Sequence, residues 1–144
     1  GDVYKRQVVM GTALRARLST NNKYYVETHR YYELKHFCLQ YHNWKREYHE
    51  LDGLSQCTDE DEIKDHKDPT YDAAVKRLLY FDKMKAVEQA AIEADADIYS
   101  YILKGVTEGR SYNYLRTVLN IPCGKDLYYD RYRRFFWLLD KARD

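Results

Sequence analysis

Apolar residues along this chain of 144 residues recur every three or four positions, which is the spacing of α-helices. The first run is a seam suited to facing another helix, and it consists of Leu34, Phe37, Tyr41, Trp44, Tyr48 and Leu51. This seam predicts an N-terminal helix over residues 23–52. Residues 53–69 are interpreted as an acidic linker, because the run Asp59 to Glu62 and its charged neighbours offer almost nothing apolar to bury.

A long middle helix is predicted from Thr70 to about Ala94, with Asp68 or Thr70 as its N-cap. Its apolar stripe drifts around the helix, with Val75, Leu78 and Leu79 on one side early and Phe81, Met84, Val87 and Ala91 later. We expect this helix to pack against the N-terminal helix first and against the C-terminal residues afterwards.

The apolar pattern in the last third of the chain predicts three shorter helices. The first has Ile98, Ile102 and Val106 at helical spacing. Gly109 can end that helix, and Ser111 can cap the next one. The second helix is short, and we expect a break after it.

In that break, Pro122 disfavours helical geometry at Ile121, and Gly124 permits a positive φ. The last helix is expected to open at Asp126. Its predicted buried stripe is Tyr128, Tyr132, Phe135, Phe136 and Leu139. The side chains predicted to point away from it are Asp130, Arg134 and Trp137, with Arg131 and Arg133 on the two flanks.

A helix, a short helix, a glycine-containing turn and an arginine-bearing helix follow the order of a helix-turn-helix unit, in which the last helix enters the DNA major groove. Any small helical bundle also has short helices and a solvated face. The pattern alone therefore fits DNA binding and a plain bundle about equally.

A resemblance to a known family bears on that choice. The string that carries it is Tyr101-Ile102-Leu103, Val106-Thr107-Glu108-Gly109, Leu115, Leu119-Asn120-Ile121-Pro122, Tyr128, Arg131-Tyr132-Arg133-Arg134 and Leu139. It resembles the region-four helix-turn-helix of sigma factors and, more narrowly, the C-terminal part of the RinA/ArpU family of regulators from phages of Gram-positive bacteria. The likeness runs from Tyr31 to Arg143, although the turn from Pro122 to Asp126 is longer than is usual in the family.

The family's order of N-terminal helix, variable linker, long middle helix and C-terminal unit is also the order here. The resemblance implies a transcriptional regulator that binds double-stranded DNA and has host RNA polymerase as a second candidate partner. The run Tyr41-His42-Asn43-Trp44 stands where the related proteins carry Tyr-Pro-x-Trp, so a bend near His42 is compatible with the sequence.

Composition and charge fit an all-helical protein with one basic end. Glycine and proline are scarce, at 6 and 2 residues, and 33% of the residues are charged. The net charge is only +1, but residues 104–144 carry nine Lys or Arg against five Asp or Glu, whereas residues 52–72 have a net charge of −6. This segregation leaves a basic end that can approach phosphate. A solvated acidic linker beside an ordinary surface would give the same distribution of charge.

The candidate DNA-binding residues lie in this basic end. They are Arg110, Arg116, Lys125, Tyr129, Asp130, Arg131, Arg133 and Arg134. Arginine and lysine suit phosphates and guanine edges, and a tyrosine hydroxyl can also contact phosphate.

The sequence contains no motif for a disulfide framework, a metal site, a catalytic nucleophile or a membrane span. The three cysteines, Cys38, Cys57 and Cys123, have no paired spacing, which indicates free thiols in a reducing cytoplasm. The resemblance implies that this is the cytoplasm of a bacterial host. The histidines are not spaced for zinc, and no nucleophile motif is present, so we predict no metal, no cofactor and no enzyme. No apolar run is long enough for a membrane span.

The first seven residues, Gly-Asp-Val-Tyr-Lys-Arg-Gln, match one reading frame of a transposon end used in sequencing libraries. We interpret residues 1–22 as an adapter-like segment followed by a mobile arm.

These observations predict an all-α helical bundle in which residues 70–144 form the long helix and a helix-turn-helix unit. The function that we favour is that of a phage-encoded transcriptional regulator, with a homodimer as an option for the two long helices. One alternative is a phage packaging protein similar to a terminase small subunit. Another is a helical interaction module that binds no nucleic acid.

Overall fold

The structure, a computed structural model, describes residues 21–56 and 69–143, and it confirms an all-α fold in that part of the chain. Six helices are present there: α1 (Thr28–Leu39), α2 (Tyr41–Gln56), α3 (Pro69–Ala94), α4 (Tyr99–Glu108), α5 (Tyr112–Thr117) and α6 (Lys125–Ala142). Two predicted segments lie largely outside the described residues. They are residues 1–20 of the predicted adapter-like segment and arm, and residues 57–68 of the predicted acidic linker. None of the described helices has both the length and the apolar character that a membrane span needs.

The predicted N-terminal helix is two helices, because α1 ends at Leu39 and α2 begins at Tyr41. The break falls close to the bend considered at His42. It also coincides with a boundary between two compact units: one consists of Gly1–Leu39 and Val87–Asp144, and the other of Gln40–Ala86. Helix α3 starts in the second unit and ends in the first.

The first unit has an apolar core to which α1, the end of α3, α4, α5 and α6 all contribute. Its buried side chains include Leu34, Phe37, Val87, Ala91, Ile102, Val106, Leu115, Ile121, Phe135, Phe136 and Leu139. Helix α1 packs against both α4 and α6, and α4 packs against α5 and α6. The core therefore holds the three C-terminal helices in fixed positions relative to α1.

The second unit is an antiparallel pair made of α2 and the first part of α3. The Arg77 guanidinium lies 2.9 Å from a carboxylate oxygen of Asp52 and 4.1 Å from the centre of the Tyr48 ring. Lys83, further along α3, lies 5.6 Å from the centre of the Trp44 ring. The later residues of α3 thus meet the earlier residues of α2.

The prediction for the outer side of α3 was wrong. Val75, Leu78 and Leu79 were expected to pack against the N-terminal helix, but they are 43%, 60% and 54% exposed. The reason is that α2 contacts the other side of α3, through Arg77 and Phe81. A periodic stripe shows which residues share a face, whereas the partner of that face depends on the tertiary arrangement.

Candidate nucleic-acid interface

The turn between α4 and α5 forms as the sequence predicts. Gly109 ends α4 in the left-handed region at φ 68°, and its N–H donates to the carbonyl oxygen of Gly105. Ser111 is the N-cap of α5, and its hydroxyl oxygen accepts from the Tyr114 N–H at 3.3 Å. Both predicted helix boundaries are confirmed.

The connection between α5 and α6 uses a different residue from the one expected. Asn120 takes the positive φ, at 56°, whereas Gly124 is extended at φ −79°. Asparagine tolerates the left-handed region better than most residues. The reversal lets the Ile121 N–H donate to the Leu115 carbonyl at 3.0 Å, and both of these side chains are fully buried. This helix-ending motif fixes the path of the connection.

The start of α6 is held by a second contact. The Tyr112 hydroxyl donates to the carbonyl oxygen of Cys123 at 2.6 Å, which ties the start of α5 to the residues just before α6. Helix α6 begins at Lys125, one residue before the predicted Asp126, and Gly124 provides no side-chain cap. The N–H groups of its first turn therefore have no intrahelical partner, and Gly124 offers them no side-chain cap.

The buried face of α6 is the one that the sequence predicts, because Tyr128, Tyr132, Phe135, Phe136 and Leu139 are all buried. The hydroxyl groups of Tyr132 and Tyr31 lie 2.7 Å apart and form a buried hydrogen bond between α6 and α1. Burial raises the pKa of Tyr132 well above its ordinary value, and the neighbouring Tyr31 adds to this effect. The Tyr128 hydroxyl lies against Gly105, where a side chain on that residue would collide with it.

Three of the candidate cations are exposed: Arg110, Arg116 and Lys125. We call them the exposed basic set. Arg110 stacks its guanidinium 4.3 Å from the centre of the Tyr114 ring and lies 3.4 Å from a carboxylate oxygen of Glu108, yet its side chain is still 45% exposed. Arg116 is in the last turn of α5, and Lys125 is the first residue of α6. The exposed basic set thus lies at the turns and helix ends around α5.

The arginines further along α6 have a different environment. Arg131, Arg133 and Arg134 are half-buried, and we call them the enclosed arginines. Arg131 donates from Nε to a carboxylate oxygen of Asp95 at 3.0 Å and from Nη1 to Asp130. The hydrogen bond to Asp95 is the main reason that the pKa of Arg131 lies above its ordinary value.

Arg133 and Arg134 are also partly enclosed. The Arg133 side chain is 20% exposed, and its Nη2 atom lies 3.9 Å from Asp130. Among the described residues, the Nε atoms of Arg133 and Arg134 are buried without a hydrogen-bond partner. Their expected contact with DNA stays a prediction.

Tyr129 and Asp130 complete the candidate residues, and both are half-buried. The Tyr129 ring lies among other tyrosines, with its centre 5.1 Å from that of Tyr128 and 5.7 Å from that of Tyr132. Asp130 is bonded to Arg131, as described above. Of the eight candidate residues, the structure therefore leaves only the exposed basic set on an open surface.

Sequence reasoning missed Asp95, which organises the start of α4. One of its carboxylate oxygens accepts from the Asp97 N–H at 2.8 Å and from the Ile98 N–H at 3.3 Å, and the other accepts from Arg131. Partial burial alone would raise the pKa of Asp95, but these hydrogen bonds outweigh it and hold the pKa below its ordinary value. An aspartate just before the run that begins at Ile98 was the available signal.

Neither a protein-family model, a curated protein sequence nor a solved structure matches this chain. Within residues 21–56 and 69–143, no group of three His, Cys, Asp or Glu side chains is arranged to hold a metal ion.

Proposed function

We propose that this chain is a phage-encoded transcriptional regulator that binds double-stranded DNA through α4, α5 and α6. In this proposal the three helices work as a helix-turn-helix similar to that of sigma region four, and α6 is the helix that approaches the major groove. The observation that carries the proposal is the exposed basic set, which the fold places around α5 and at the first residue of α6.

The first turn of α6 supports this assignment. Its N–H groups lack a side-chain cap, and Lys125 is exposed beside them. Helix N-termini with free N–H groups bind phosphate well, because the N–H groups and the helix dipole both favour an anion. Arg110 and Arg116 would add contacts to the DNA backbone. Tyr129, one turn after Lys125 and half-buried, would offer its hydroxyl group to a phosphate.

The enclosed arginines are given a smaller role in DNA binding than the exposed basic set. Arg131 already has two carboxylate partners in the protein, so using it to read a base would break an existing ion pair. We therefore assign initial affinity to the exposed basic set. Contact with host RNA polymerase rests on the family resemblance alone. A location in the bacterial cytoplasm rests on that resemblance and on the unpaired spacing of the cysteines.

The first test is a titration of the full chain with a labelled duplex of random sequence, followed by fluorescence anisotropy at several salt concentrations. If four to six phosphates are contacted, log K should fall against log salt with a slope of roughly −4 to −5. Selection of bound sequences from a random pool then tests whether one site is preferred, as a regulator requires.

Two outcomes would favour one of the alternative functions over this proposal. Binding that is absent at low salt would favour the helical interaction module. Binding without any sequence preference, together with a ring-shaped oligomer of the chain, would favour the packaging protein.

A further inference from the structure

Gly105 is the residue of α4 at which the turn to α5 and the first turn of α6 come together. Its carbonyl oxygen accepts from the Gly109 N–H and, at 3.0 Å, from the Arg110 N–H. These two hydrogen bonds end α4 and begin the turn. On its Cα side, Gly105 lies against the hydroxyl group of Tyr128, which belongs to the first turn of α6.

The glycine at position 105 provides space and not an unusual backbone conformation. Among the described glycines, only Gly109 has a positive φ. A glycine inside a helix is less favourable than an alanine. The close approach of Tyr128 gives a physical reason for Gly105, because the Cβ atom of any other residue would collide with the hydroxyl oxygen.

The Tyr128 side chain has little freedom to move away from such a collision. It is 1% exposed, and its ring centre lies 5.7 Å from that of Tyr112, 5.1 Å from that of Tyr129 and 6.0 Å from that of Tyr132. Its backbone N–H donates to the Gly124 carbonyl at 3.1 Å, at the start of α6. Because the ring is rigid and closely packed, a push on its hydroxyl group would displace the backbone of this first turn.

The same turn carries the most open part of the proposed DNA interface. Lys125 lies three residues before Tyr128 and is exposed. Hydrogen bonds to base edges weaken steeply when a donor is misplaced, whereas the attraction to phosphates depends less on exact position. A displaced first turn would therefore lose sequence recognition before it loses affinity for DNA in general.

We propose that Gly105 is a positioning residue for DNA recognition. Its lack of a side chain lets Tyr128 pack against α4, and this contact determines where the first turn of α6 lies relative to α5. Gly105 is buried, so it acts through Tyr128 and not by touching DNA. The inference rests on the proposed function, because it concerns how α6 meets the duplex.

The test compares Gly105→Ala with the double variant Gly105→Ala/Tyr128→Phe, which lacks the oxygen atom that the new methyl group would meet. The nearest atoms to that methyl group are then the Arg110 carbonyl oxygen at 3.5 Å and Leu115 Cδ1 at 3.6 Å, which are ordinary contact distances. Among the described residues, the Tyr128 hydroxyl has no hydrogen-bond partner, so its removal breaks no hydrogen bond there. The double variant should therefore regain the parent's position of α6.

DNA affinity is measured with the preferred site selected from a random pool and with a duplex of random sequence. Gly105→Ala should lower the affinity for the preferred site at least about tenfold, and the affinity for the random duplex by less than about threefold. Without DNA, the backbone amide shifts of residues 125–129 should change in Gly105→Ala. Both the affinity ratio and the amide shifts should return to the parent's values in the double variant.

The matched control for a loss of stability is Val87→Ala. Val87 is fully buried in the same unit, but it lies on α3, outside the three C-terminal helices. Val87→Ala should lower the melting temperature. At a temperature where the variant is folded, it should leave the ratio of the two DNA affinities unchanged.

Three results would overturn the proposal. They are parent-like binding of both duplexes by Gly105→Ala, an equal fall in the affinity ratio in Val87→Ala, and a double variant that recovers neither the ratio nor the amide shifts. If Gly105→Ala does not fold, the double variant decides: parent-like specificity supports the proposal, and failure to fold overturns it. If the parent binds no duplex or binds all sequences alike, the proposed function fails, while the amide shifts still decide whether Gly105 positions α6.

Discussion

The candidate DNA-binding cations of the C-terminal helices divide into two groups that sequence alone cannot separate. Arg110 has a side chain that is 45% exposed, and Arg116 and Lys125 are exposed as well. Arg131 is 31% exposed and lies against two carboxylates, and Arg133 is 20% exposed. Both groups come from the same stretch of net positive charge, but the first is more exposed to solvent than the second.

The comparison shows that a cluster of arginines is not by itself a binding surface. An arginine bonded to carboxylates inside the protein contributes to holding helices together, and its charge is largely cancelled locally. An exposed arginine keeps its field available to a polyanion.

The largest effect should come from the buried face of α6, which belongs to neither group. Leu139 is fully buried. Leu139→Ala leaves a cavity and should lower the free energy of unfolding by about 2–5 kcal/mol. Chemical denaturation measures this change. A loss below about 1 kcal/mol would show that α6 is not packed as described.

The exposed basic set should control DNA affinity without controlling stability. The double variant Arg116→Ala/Lys125→Ala should weaken duplex binding by about 1–3 kcal/mol and leave the melting temperature close to that of the parent. Lys45→Ala, an exposed lysine on α2, is the matched control and should bind like the parent. Parent-like affinity in the double variant would remove this surface from the proposal.

Arg131 should behave in the opposite way. Arg131→Ala removes the guanidinium from Asp95 and Asp130, and we expect a loss of about 1–2 kcal/mol in unfolding free energy. DNA affinity at a temperature where the variant is folded should change less than in the double variant. If Arg131→Ala instead weakens DNA binding most and leaves stability unchanged, the division between the two groups is reversed.

The smallest expected effect is a pH dependence that comes from Asp95. Because its pKa is lower in the folded chain than in the unfolded one, its carboxylate stabilises the fold above the ordinary pKa of about 4. That stabilisation is lost as the pH falls through the lower, folded pKa. Asp95→Asn keeps an oxygen that can accept from the Asp97 and Ile98 N–H groups but removes the charge.

The parent should therefore melt about 2–4 °C above Asp95→Asn at pH 6, and the difference should shrink towards pH 3. Thermal melting at both pH values measures this. A difference that is independent of pH would mean that the charge of Asp95 contributes little.

The sequence predicted the local features of the fold well, because their causes are local. A glycine and a serine two residues apart indicated the turn between α4 and α5, and the periodicity of α6 indicated its buried face. The prediction for the α5–α6 connection was less accurate, since asparagine and glycine can both take a positive φ. Asn120 takes the positive φ because the reversal there brings together the buried pair Leu115 and Ile121.

The division of the arginines could not be predicted in the same way. Arg131 and Asp95 are separated by 36 residues, and no periodic pattern connects them. The outward direction of Leu78 likewise follows from the position of α2 on the other side of α3. Local patterns identify faces of helices, and only the tertiary arrangement determines which faces stay open.

The most direct test of the DNA-binding proposal is an NMR titration of the isotope-labelled full chain with duplex DNA, in which backbone amide shifts locate the contact surface. We expect the largest shifts at Arg110, at Arg116 and in the first turn of α6 from Lys125, with little change in α2. Shifts concentrated on α2 and the first part of α3, or no shifts at low salt, would contradict it.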